Sequence, residues 1–366
     1  MNRIIKFDNF VNEALGVPTN IIPLAKELFD FIVNGIYHDD DLEGLCEGPL
    51  VMSGSFNIAD MPIKDIVIGF GFGVSRDKRP VELAGMGSHF DRFLGINKKT
   101  KGYYSGTFVK DEVLMSIKFL VPENVTGRDI INYMKKEKEF LIPILAHELK
   151  HFYDKFKNPR IAVKKWTDYT VVAGNSFGPI EPLNEFLFLS YYTNEFENLV
   201  RPTEMAAMID VKRVTPDKFK SFFLDSDIYK KLNSAKEFSL SKLKEELKNY
   251  FAQIVVVLLE LGYDAMRILN LKKEDLIELI LKEFYESLLT WKGQMMETLL
   301  YPRGKHPLRF IGNKDRFYDE YLNKITKFAS DYNSFYKSEE KFLNQESFRM
   351  IKKLARLYEL TDIYRK

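Results

Sequence analysis

The chain has 366 residues, a formal net charge of +2, 45% hydrophobic and 29% charged residues, and one cysteine. That balance describes a globular protein with material for a sizeable core and for two or three domains. The lone Cys46 excludes a disulfide framework and any zinc site built from several thiolates, and the small net charge argues against a surface devoted to nucleic acid.

The first sixteen residues interleave charged with apolar side chains, which is not the pattern of a secretory signal. A helix is predicted over Ile21–Ile36, where Leu24, Leu28, Phe29, Ile32 and Val33 follow helical spacing. Residues 35–48, rich in Gly, Asp and Glu, read as a loop. Four runs rich in β-branched and aromatic residues come next: Leu50–Ile58, Ile66–Phe72, Tyr103–Val109 and Val113–Val121. The last two face each other across Lys110-Asp111-Glu112, so a hairpin is expected. In the fourth run Val113, Met115, Ile117, Phe119 and Val121 share one face, the alternation of a half-buried strand.

From Thr126 onward the chain reads as helix almost throughout. Thr126 suits an N-cap, with Asp129 three residues on. Pro143 predicts a break, with one helix ending near Phe140 and the next starting near Leu141 or Pro143. Residues 174–182 read as a loop, followed by helices over Leu183–Tyr192 and Asn194–Lys212. Further helices are expected near 216–231, 238–260, 273–299 and 314–362. No apolar run reaches the roughly 18 residues that a membrane span needs. The expected organisation is α+β. Residues 1–125 form an N-terminal helix plus a small mixed sheet. Residues 126–213 form a metal-binding helical core in one unit with that sheet, and 214–366 form a large helical C-terminal region.

The stretch LIPILAHELKHFYD carries the chemistry. His147 and His151 are four residues apart, so on a helix both imidazoles leave one face and can hold one metal ion. Glu148 stands beside the first of them, where a carboxylate can take a proton from a metal-activated water. The preceding turn is apolar, as a buried metal-bearing helix requires. The alternative is a surface helix with two coincidental histidines, or a metal that is only structural.

This H-E-x-x-H segment resembles the zincin clan of zinc metallopeptidases. The resemblance implies Zn2+ held by His147 and His151, Glu148 as general base, and a mixed sheet whose edge strand, here sought near Val113–Val121, aligns a peptide or protein substrate. Lys150 departs from the uncharged residues usual between the glutamate and the second histidine. No Gly and His come soon after His151, which sets aside the metzincin extension, and His306 is far downstream. The gluzincin-like alternative takes a glutamate from a later helix. The stretch YYTNEFENLVRPTEMAAMID is similar to small zincin-like proteins of tailed bacteriophages, in which a Tyr-Tyr turn precedes a ligand glutamate and an arginine. That match aligns Glu197 with the ligand and Arg201 with the arginine. Glu204, two turns beyond Glu197 on the same face, stays open as the third ligand, and Glu185 and Glu195 are weaker choices. The resemblance further implies phage or host proteins as partners and a cytoplasmic or virion location.

Asp154 shares the face of both histidines, where it either orients a ligand or pairs with Lys150 or Lys157. Tyr191 and Tyr192 are candidates for polarising a carbonyl, or else ordinary amphipathic core residues. Gly69-Phe70-Gly71-Phe72-Gly73 lacks the spacing of a dinucleotide fingerprint and reads as a glycine-containing strand. The competing function is a non-catalytic assembly protein that keeps a zincin-like scaffold, a reading to which the long helical C-terminal part gives weight.

Overall fold

A computed structural model describes residues 20–36, 50–55, 65–74, 80–89, 112–122, 125–157, 177–300 and 332–358. Helix α1 (Ile21–Gly35) has the predicted spacing and buries Leu24, Leu28, Phe29 and Ile32. Four strands come next: β1 (Leu50–Ser55), β2 (Asp65–Val74), β3 (Glu82–His89) and β4 (Glu112–Val121). They form one mixed sheet in the order β1-β2-β4-β3, with β2 and β4 parallel and the other pairs antiparallel.

The alternation read in the fourth run is the observed one: Met115, Ile117, Phe119 and Val121 are buried. In register, Gly69 and Gly87 both lie opposite Ser116, and Gly71 and Gly85 both lie opposite Lys118. The face that carries Ile66, Ile68, Met115, Ile117 and Phe119 is apolar and core-forming. The expected strand Tyr103–Val109, and with it the expected hairpin, lies outside the described residues; among those described, the antiparallel partner of β4 is β3, a Gly-rich segment that sequence did not mark. Consequently β4 is an interior strand with a neighbour on each side, and among the described residues the outer strands are β1 and β3.

Helix α2 (Gly127–Lys136) starts at a full capping box. The Thr126 side chain accepts from the Asp129 N–H, while Asp129 Oδ2 accepts from the Thr126 N–H and hydroxyl, each at 2.8 Å. Helix α3 (Lys138–Lys157) carries the H-E-x-x-H segment. The break falls at Glu137, earlier than Pro143 suggested. Pro143 sits in the second turn of α3, where its missing N–H forgoes only the bond to the carbonyl of exposed Glu139.

Further helices are α4 (Glu181–Tyr192), α5 (Glu195–Val211), α6 (Pro216–Asp225), α7 (Asp227–Lys236), α8 (Leu240–Leu247), α9 (Phe251–Glu260), α10 (Ala265–Leu269), α11 (Lys273–Leu300) and α12 (Tyr332–Ala355). The expected spans 216–231 and 238–260 are each divided. Ser226 caps α7 through its hydroxyl, and a 3-10 turn at Lys248–Tyr250 separates α8 from α9. Among the described residues, no helix is long and apolar enough to cross a membrane.

The chain divides into two compact units. The first takes the chain up to Ala162 and resumes at Leu199–Phe219. Its core joins Leu28, Phe29 and Ile32 of α1 to Ile66, Ile68, Met115, Ile117 and Phe119 of the sheet and to Leu141, Ile142, Leu145, Leu149 and Phe152 of α3. Strand β3 lies against α3. The second unit holds α4 and most of the chain from Lys220 onward. Its core is aromatic: Phe177, Phe186, Phe284, Phe335 and Tyr336 meet at 5.0 to 6.3 Å between ring centroids. The buried Tyr336 hydroxyl donates to the Leu281 carbonyl at 3.0 Å, which removes the penalty of hiding it.

Candidate metal centre

The four-residue spacing on α3 places both imidazoles on one side. The rings of His147 and His151 stand 4.6 Å apart, edge to face, and both are buried. Glu148, one residue on, is also buried, at 7% exposure.

The opposing carboxylate comes from α5, whose start is fixed locally. Asn194 Oδ1 accepts the Glu197 N–H at 2.7 Å, and the Asn198 side-chain amide donates to the Thr193 carbonyl at 2.8 Å. Thr193 in turn donates its hydroxyl to the Leu189 carbonyl at 2.8 Å. This turn sets Glu197 as the third residue of the helix, 1% exposed. One ligand atom from each of His147, His151 and Glu197 lies within 4.8 Å of the others. Two imidazoles and a carboxylate are the donor set of a catalytic zinc site that keeps a position open.

Glu204 is elsewhere. Its Oε2 lies 2.9 Å from His147 Nδ1 and 2.6 Å from Arg201 Nη1. An ionised carboxylate only accepts, so Nδ1 carries the proton toward Glu204. Burial pushes the Glu204 carboxyl up, but the Arg201 guanidinium and His147 outweigh it and bring it down to about 2. Of the two glutamates left open by the sequence, Glu197 lies with the histidines and Glu204 contacts Nδ1 of His147.

Asp154 pairs with Lys150, one turn before it on α3, and the Lys150 ammonium also lies 5.7 Å from the Tyr153 ring centre. This contact explains how a lysine is tolerated inside the motif: its charge is answered one turn on.

Among the described His, Cys, Asp and Glu residues, the other candidates do not belong to this group. Glu185 and Glu195 are exposed. Tyr192 packs in the second unit, its ring 5.7 Å from Phe188 and 5.4 Å from the Lys231 ammonium, and Tyr191 is half-buried. His306 lies outside the described residues. Thr193 and Asn198 had drawn no attention in the sequence, although a Thr-Asn pair before an acidic first turn is the signal of such a cap.

No protein-family model, no curated protein and no solved structure matches this chain.

Proposed function

We propose that the protein is a zinc-dependent hydrolase, most specifically a metallopeptidase. The observation that carries this reading is the convergence of buried His147, His151 and Glu197, with buried Glu148 beside the first histidine. When bound, zinc supplies a Lewis acid and acidifies a coordinated water. Glu148 takes the proton of the attacking water and returns it to the leaving amine. The apolar surroundings of α3 keep bulk water from these carboxylates.

A small mixed sheet packed on this helix suits a peptide substrate. Strand β3, an edge that lies against α3, would take the extended peptide, in place of interior β4. Tyr133 already accepts the Leu83 N–H at 3.0 Å, so strand addition has Gly85–His89 to use.

The test is cleavage of a mixed fluorogenic peptide library by the full chain. The parent protein should cleave, lose activity to a chelator and regain it with zinc. Glu148→Gln should keep its zinc and lose about 100-fold or more in turnover. A parent protein that binds zinc but cleaves no peptide or protein would instead support a non-catalytic assembly role.

A further inference from the structure

We propose that Arg201 and Glu204 are positioning residues that divide the labour of the two glutamates on α5, assigning Glu197 to the metal and Glu204 to the ring of His147; this rests on the metal-site reading above. The two glutamates are seven residues apart on one helix, about 10 Å along its axis. Both are acidic, both reach the region of His147, and either has the chemistry of a third ligand. What separates them is Arg201, which lies between them in sequence. It is 5% exposed and donates from Nη1 to the same Glu204 oxygen that receives His147 Nδ1–H.

The consequences are geometric. An oxygen that receives both a guanidinium and an imidazole N–H is held where it cannot turn toward a metal on the far side of the ring. The His147 ring is fixed in rotation with Nε2 directed away from Glu204. All three side chains sit on two rigid helices, so the arrangement is in place before any ion arrives. Arg201 thus acts on the metal only through Glu204, and Glu204 only through His147.

The test uses the full chain labelled with nitrogen-15 at its five histidines, stripped of metal and reloaded with zinc. Zinc affinity is read by competition with a chromophoric chelator. Long-range proton–nitrogen correlation reports which nitrogen of His147 carries the proton, the signal being assigned by its loss in His147→Gln. The expected result is one tight zinc, with His147 protonated at Nδ1 and bound through Nε2. Glu204→Ala and Arg201→Met should bind about 10- to 100-fold more weakly, with an unchanged circular dichroism spectrum. Glu204→Gln, whose amide oxygen still accepts from Nδ1–H, should keep the tautomer and recover most of the affinity. That rescue would not be seen if the Arg201–Glu204 ion pair served only the fold. Zinc on Nδ1 of His147, or parental affinity in both Glu204→Ala and Arg201→Met, overturns the proposal while leaving the site intact. A parent protein that binds no zinc overturns the site and the proposal together. Should Glu204→Ala fail to fold, the parental tautomer and the Glu204→Gln affinity decide the matter.

Discussion

The interior of the second unit and the facing sides of α3 and α5 are both hidden from water, yet they are built from opposite materials. Around Phe284 the buried surface is aromatic and aliphatic, and its buried tyrosine hydroxyl is satisfied by a backbone carbonyl. On α3 and α5 lie His147, Glu148, Lys150, His151, Glu197 and Arg201, which are all the buried acidic and basic residues among those described except Glu339. Hiding a charge costs several kcal/mol even after relaxation, so a fold seeking only stability would not gather four charged side chains and two imidazoles in one place. The contrast separates a core built of apolar groups from one built of ionisable ones.

Substitutions can break that contrast. Phe284→Ala removes the centre of the aromatic cluster and should destabilise by about 3–5 kcal/mol in chemical denaturation, with no change in zinc affinity of the folded protein. A parallel loss of zinc affinity would dissolve the distinction. On the polar side, Asp154→Ala leaves Lys150 buried without its counter-charge. The expected cost is about 3 kcal/mol, and Lys150→Met in that background should return much of it. Smaller effects belong to helix ends that serve neither interior. Thr126→Ala deletes the cap of α2 and should cost about 1 kcal/mol. Asp129 sharpens this point through pH. The Thr126 backbone N–H, then its hydroxyl, hold the Asp129 carboxyl below its ordinary 3.8. A depressed carboxyl stabilises the fold above that value and stops doing so as pH falls through the lower folded one. The stability gap between parent and Asp129→Asn should therefore be full at pH 6 and narrow below about pH 3.8. Least of all, α5 ends with Arg213 at φ 51°, the Val214 N–H donating to the Ile209 carbonyl at 2.9 Å. This is the helix-terminating position that glycine prefers, so Arg213→Gly should raise the melting temperature slightly, by the equivalent of up to roughly 1 kcal/mol.

The sequence made some of this legible because local spacing carries it. The two imidazoles on one face of α3, the Thr126 cap and the alternation of β4 all depend on residues within one or two turns of each other. Strand β3 was not legible: ELAGMGSH has little of the β-branched and aromatic content by which strands are recognised, and its place comes from its partner β4. The role of Glu204 was not legible either. Its spacing from Glu197 put both on one face, but the choice between them rests on a contact to His147 across 57 positions. The division into units was hidden for a similar reason, since the first unit leaves the chain and returns to it at α5. Lys150, a departure from the usual motif, was readable as tolerable only through Asp154 four residues on.

The most direct test of the whole account is a zinc titration of the metal-stripped full chain beside Glu197→Gln. The account predicts one tight equivalent for the parent protein and a loss of at least about 100-fold for the variant, with unchanged helix content. Equal binding by both, or none by the parent, would contradict it.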